Sequence, residues 1–287
     1  MRLSAEKGRG PMVGTRVTVG DIAAGINEAF PYTQAEKWDN VGLLLGTSAQ
    51  EATGVVCALD PTLEILEYAH NKGANVVLTH HPAFIEAPHT FSDIGPYCGR
   101  VIKQAAQYNI ALIAAHTNLD ASDDARRILG ETLGLMGYHE AFVSVDNNEE
   151  PRVSRYAVLW QTSCERSLAE MARLVHQAFG VKPRVYGDKQ KKVVSVMTST
   201  GAGSDHVNDA IAAHADVFIT GEVKYHDALA AKESGVAVIE LGHDVSEWPL
   251  VGLLKEALMA HTFMDPTRIY DAPRSYAWWV ETGEINV

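Results

Sequence analysis

The sequence predicts an α/β protein built from two similar lobes, on three observations. Short apolar runs rich in Val, Ile and Ala alternate with segments of helical period. The rhythm occurs twice, on either side of a polar break at 144–155. Of the 287 residues, 46% are hydrophobic, enough for one large core or two modest ones. Because each strand-helix-strand crossover covers a face of its sheet, mainly parallel strands are expected.

The elements follow in order. "VVCALD" at 55–60 reads as a strand, Leu63, Leu66 and Ala69 mark a helix, and "VVLTHH" at 76–81 is the next strand. A helix over 96–108 leads to the strand "IALIAAH" at 110–116. Beyond the break, "YAVLWQT" at 156–162 and "KKVVSVMTST" at 191–200 read as strands. The helix between them carries Leu168, Met171, Leu174, Val175 and Phe179 at helical spacing. Then come a helix near 204–214, the strand "DVFIT" at 216–220, a helix over 221–233, the strand "VAVIEL" at 236–241, a helix over about 246–260 and a late strand "SYAWWV" at 275–280.

Composition narrows the function classes. Lys and Arg number 24 against 36 Asp and Glu, a net charge of −12, and the one short basic run is "KQKK" at 189–192. Stable nucleic-acid binding is therefore not expected. Cys57, Cys98 and Cys164 are far apart, which argues against a disulfide framework and a thiolate zinc site and fits a reducing cytoplasm. No apolar run approaches a membrane span, so no membrane association is expected. Residues 1–15 read as a loose leader, with Met12 an alternative start.

Ligands of parallel sheets gather beyond the carboxyl ends of strands, so the residues there carry the most information. One strand end delivers His80 and His81, a second His116 and then Asp120, a third Gly242, His243 and then Glu247. Adjacent residues of a continuing strand point to opposite faces. Pro82 removes a ladder donor and restricts His81, so the strand is expected to stop there and both rings are able to turn the same way. A lone histidine at a strand end is usually structural; the same chemistry at three strand ends points to metal. Imidazoles mixed with carboxylates, without thiolates, suit zinc, iron, manganese or nickel rather than calcium or magnesium.

In "LGHDVSEWPLVGLLKEAL", Pro249 is expected in the first turn of a helix, with Ser246 and Glu247 at its start and His243 in the approach loop. The helix dipole would keep Glu247 ionised and suited to bridging two ions. "TSTGAGSD" at 198–205 lies between a strand and a helix and reads either as a backbone phosphate cradle or as a plain tight turn. Trp38, in "KWDN", either lines the site or packs.

Five blocks in this order, "WDNVGLLLG" at 38–46, "LTHHP" at 78–82, "HTNLD" at 116–120, "DVFITGEVKYHDAL" at 216–229 and "LGHDVSE" at 241–247, resemble the GTP cyclohydrolase I type 2 homologue (Nif-three-like) family. The likeness spans about 16–280. It implies two intertwined α/β lobes, a dinuclear metal centre in a cleft between them and a ring-shaped homohexamer. The implied ligands are His80, His81, Asp120, His243 and Glu247, with Glu247 bridging. The lobes are expected over 16–126 and 127–235, with 236–287 returning to complete the cleft. The segment 127–215 is filled by the second lobe's own elements, leaving no room for the domain some relatives insert.

Two ions about 3.5–4 Å apart acidify a bound water and clamp a substrate oxygen, the arrangement used in metal-dependent hydrolysis. His116, Glu222 and His226 are the candidates for proton transfer, the last two expected to share a helical face; each equally reads as a residue that orients a ligand. The expected activity is hydrolysis of a small phosphorylated or heterocyclic substrate, nucleotides and guanine-ring opening of GTP among them. The alternative is a non-enzymatic metal-binding scaffold or regulatory protein.

Overall fold

A computed structural model describes residues 16–143 and 152–274. The expected leader, part of the polar break and the expected strand at 275–280 lie outside the described residues. The chain forms two compact units. One runs to Leu119 and resumes over Val251–Asp271; the other spans Asp120–Leu250 and resumes at Ala272. The switch expected at 126/127 thus falls at 119/120, and of the expected return segment 236–250 stays in the second unit.

The first unit opens with α1 (Val19–Ala29), whose Thr18 cap accepts from the Asp21 N–H while the Asp21 carboxylate accepts the Thr18 N–H. There follow β1 (Gly42–Leu45), β2 (Val55–Ala58), α2 (Leu63–Asn71), β3 (Val76–Thr79), α3 (Tyr97–Gln107), β4 (Ala111–Ala114) and the short α4 (Thr117–Asp120), whose last residue begins the second unit. The second unit continues with α5 (Asp123–Thr132), β5 (Met136–Val143), β6 (Arg152–Ser167), α6 (Leu168–Phe179), β7 (Arg184–Tyr186), β8 (Lys192–Thr198), α7 (Val207–Ala212), β9 (Val217–Thr220), α8 (Tyr225–Glu233) and β10 (Ala237–Glu240). The long α9 (His243–His261) carries the chain back, and β11 (Ile269–Asp271) rejoins the first sheet.

The first sheet has the order β1-β4-β3-β2-β11. Its strands β4, β3, β2 and β11 are parallel and only β1 is antiparallel, as expected. Every residue of β2, β3 and β4 is buried, the reason these strands read as unbroken apolar runs rather than alternations.

The second sheet, β5-β6-β8-β9-β10-β7, corrects the expectation of mainly parallel strands. Only β8, β9 and β10 run parallel; β5, β6 and β7 make antiparallel pairs. The cause is β6, 16 residues long, which pairs antiparallel with a neighbour on each side. Trp160 on β6 is buried, its indole N–H donating to the Thr198 hydroxyl at 2.9 Å, and it lies so close to α5 that a Cβ on Gly130 would overlap the ring. Leu168, Met171 and Val175 of α6 join it on that face of the sheet, while Met197, Phe218 and Ala228 pack on the other. Among the described residues, no helix is long and apolar enough to cross a membrane.

Candidate metal centre

In the first unit, β3 runs straight into the histidine pair. The His80 and His81 N–H groups still donate to the Ala58 and Leu59 carbonyls (3.3 and 2.9 Å), extending the ladder past the strand. The Thr79 hydroxyl donates to the His81 carbonyl at 2.6 Å and turns the chain ahead of Pro82. The two rings come together, centroids 4.9 Å apart. His116, arriving from β4, places its ring 5.1 Å from that of His80 and 5.5 Å from that of His81. One nitrogen from each of the three lies within 4.8 Å of the others, a set able to hold a metal ion.

Each ring is fixed through Nδ1. His80 donates to the Ala115 carbonyl (3.1 Å), His81 to Asp60 Oδ1 (2.8 Å) and His116 to Asp39 Oδ1 (3.0 Å). These partners accept, so in the neutral rings Nδ1 carries the proton and Nε2 the lone pair, the tautomer that binds a metal through Nε2. Asp39 is itself locked: its Oδ2 accepts from the Thr117 N–H at 3.0 Å and from the Thr117 hydroxyl. Burial pushes its carboxyl up, but the hydrogen bonds from His116 and Thr117 and the His116 charge outweigh this and hold it well below the usual carboxylate range.

The second unit supplies another donor set. α9 begins at His243, directly after Gly242 at φ 104°, so Pro249 lies inside the helix instead of in its first turn. The proline forgoes one ladder bond, and in exchange His243 and Glu247 stand one above the other on the first turn, Nε2 to Oε2 3.1 Å. His243 Nδ1 donates to Glu222 Oε1 at 3.0 Å, repeating the carboxylate-histidine pattern of the first unit. Glu247 is buried.

The "TSTGAGSD" loop is the wall of this set. Gly201 donates its N–H to Ser246 Oγ (2.8 Å) and Gly203 donates to the Glu222 carbonyl (2.8 Å), so these amides are engaged within the chain and the tight-turn reading holds over the phosphate cradle. Gly201 adopts φ +61°, and a Cβ there would overlap Glu247 Oε1. The loop has to be glycine for the carboxylate to occupy its place.

Two expectations change. Glu222 precedes α8, in a bridge with Ala202, so it shares no helical face with His226. His226 is exposed on α8 with its ring against Tyr225. Asp120 closes α4, on the turn that follows His116. Sequence reasoning missed Asp39, Asp60 and Glu240 as supporting groups. Glu240, buried at the end of β10, accepts the Val223 N–H at 2.7 Å and so pins the segment carrying Glu222. The signal was there for two of them, since Asp60 and Glu240 end strand runs just as the histidines do.

Fold and donor chemistry together define the class: a two-unit mixed α/β protein whose strand ends carry histidine clusters able to bind metal. The chain belongs to the Duf34/NIF3 (NGG1p interacting factor 3) family, whose model matches residues 17–268. It is 31% identical over 235 residues to the GTP cyclohydrolase 1 type 2 homolog of Clostridium perfringens, covering 81% of this chain and 88% of that protein. The homolog of the same name from Clostridium acetobutylicum is 29% identical over 241 residues, covering 84% and 89%. Among solved structures, the Staphylococcus aureus hypothetical protein SA1388 superposes with a TM-score of 0.77 at 27% identity, over 91% of this chain and 100% of that one. A Bacillus cereus protein related to NIF3 gives 0.80 at 20% identity over 93% and 100%, a likeness of fold.

Proposed function

We propose that the chain is a dinuclear metal-dependent hydrolase, with His80, His81, Asp120, His243 and Glu247 holding two divalent first-row ions and Glu247 bridging them. The observation that carries this reading is the convergence of donors: His80, His81 and His116 bring one ring nitrogen each to within 4.8 Å of the others, and these rings and His243 all hold Nδ1 against a carbonyl or carboxylate. With Nδ1 so engaged, Nε2 is the nitrogen each ring has to offer an ion. Zinc, iron, manganese and nickel all suit these donors. When bound, such ions supply positive charge that polarises a substrate oxygen and acidifies water.

The chain's own residues do the rest. His116 is the proton acceptor at Nε2, because Asp39 fixes its other nitrogen as a donor. Glu222 touches His243, which supports an orienting role for it rather than proton transfer. The substrate class is a nucleotide or another small phosphorylated or heterocyclic molecule, in keeping with the name the relatives carry, and the assembly is a ring-shaped homohexamer.

The test is elemental analysis together with turnover of the metal-loaded protein on a panel of nucleotides and phosphoesters. Metal bound in near-stoichiometric amounts and activity lost in Glu247→Ala are expected. Activity unchanged in that variant ends the reading. Metal-dependent assembly without turnover on any substrate leaves the scaffold alternative in its place, and a stable monomer in light scattering removes the ring.

A further inference from the structure

We propose that Trp38 is the stacking surface of a subsite for a planar heteroaromatic ring, set beside the histidine cluster; the inference rests on the hydrolase reading above and names the part of the substrate it would hold. Trp160 shows what an indole does here when its task is packing: it is 1% exposed and its N–H is satisfied. Trp38 is 58% exposed. Leaving that much aromatic surface in water forgoes the stabilisation burial would give.

The backbone that carries the indole is nevertheless held in position by its neighbours. The Asp39 carboxylate bonds His116 and Thr117, the Glu36 N–H donates to the Thr117 hydroxyl at 2.9 Å, and the Asn40 amide donates to the Phe84 carbonyl at 2.9 Å, in the segment just after the histidine pair. Backbone on both sides of Trp38 is thus tied to the same loops that present the histidines. A solvent-facing aromatic on an anchored backbone offers stacking with only its own rotamer left to order on binding.

The exposed face and its nearness to His116 point to the ligand class. The indole and the His116 imidazole meet at 76° with centroids 6.0 Å apart. A ring stacked parallel to the indole is therefore held near His116 and steeply inclined to the plane of the imidazole. Every nucleobase has a π-face, so this contact is tolerant of base identity but not of its absence.

A matched pair of probes tests it: guanosine 5′-monophosphate and ribose 5-phosphate, which share the sugar phosphate and carry a base or a hydroxyl at the anomeric carbon, titrated calorimetrically into metal-loaded wild type, Trp38→Ala and Trp38→Phe, with bound metal measured in each. Stacking of one base corresponds to a preference of about 5- to 150-fold for the nucleotide. The expected result is that preference in the wild type, its fall to within about twofold in Trp38→Ala, an intermediate value in Trp38→Phe, and unchanged ribose 5-phosphate affinity and metal content. The same ratio in Trp38→Ala as in the wild type, or no preference in the wild type, overturns the assignment. The hydrolase reading fails on different readouts, an empty metal analysis or an active Glu247→Ala, which leave this ratio free to stand or fall by itself.

Discussion

Asp39 shows how much a single side chain is made to do. One oxygen fixes the His116 tautomer and the other gathers two donors from Thr117, so replacing it with Asn both frees the imidazole and exchanges a charged acceptor for a mixed amide. A loss of about 1–3 kcal/mol at neutral pH is expected from urea unfolding. The sign of the pH effect follows from the direction of the shift. The native carboxyl is held low, so the stability it contributes is fully present above the unfolded value, about 3.9, and drains away as pH falls through the native one. Wild type should therefore lose stability below about pH 4 more steeply than Asp39→Asn, and parallel curves would show that the carboxylate contributes nothing. Cys57 runs in the opposite direction. Burial first, then the Asp271 charge, raises its thiol to about 12, against a smaller lowering by Lys255. Reaction with a disulfide reagent at about pH 8 should modify exposed Cys164 in the native protein and reach Cys57 only on unfolding; fast labelling of Cys57 in the folded chain would contradict its burial.

At the scale of elements, the site depends on close approach between a glycine loop and the first turn of α9. Gly201→Ala combines a left-handed backbone, unfavourable to a side chain by about 1–2 kcal/mol, with a methyl where Glu247 Oε1 stands. The variant should fold and bind metal at least about 10-fold more weakly by competition with a chelator, as when a supporting group is removed; wild-type affinity would mean that the carboxylate has another place to go. This contact also explains what could be read beforehand and what could not. The buried strands β2, β3 and β4 were legible because a parallel strand covered on both faces is a plain apolar run. So was the meeting of His80 and His81, with His116 beside them, since the end of each run marks where a side chain can be presented. α9 was misjudged because Pro249 carries a strong first-turn preference, overridden here by Gly242 and the Ser246 hydroxyl, which accepts the Gly201 N–H and donates to the His243 carbonyl at 2.8 Å. In the second sheet β5 and β7 escaped notice because they are short or irregular in pattern, and the antiparallel pairing of β6, legible as a strand at 156–162, is decided by connections that local composition does not encode.

At the scale of the molecule, the consequence of the proposed function is thermodynamic coupling between units that are far apart along the chain. Under that proposal the first unit contributes His80 and His81, the latter oriented by Asp60, and the second contributes His243 and Glu247, the former oriented by Glu222. If both sets bind the same pair of ions, metal stabilises the chain only when both are intact. Saturation at about 100 times the dissociation constant is worth about 2.7 kcal/mol. His81→Ala and His243→Ala should each abolish most of that gain, and the double variant should lose little more than either one, because the second substitution removes ligands from a centre already broken. Two independent sites give a different result: each single variant keeps the half of the stabilisation that belongs to the other set, and the losses add. Melting temperature measured with and without saturating metal across the four proteins of this cycle distinguishes the two cases. Additive losses would separate the sets and take the dinuclear proposal with them, while strong non-additivity would make the metal the element that joins two units whose sequences are threaded through one another.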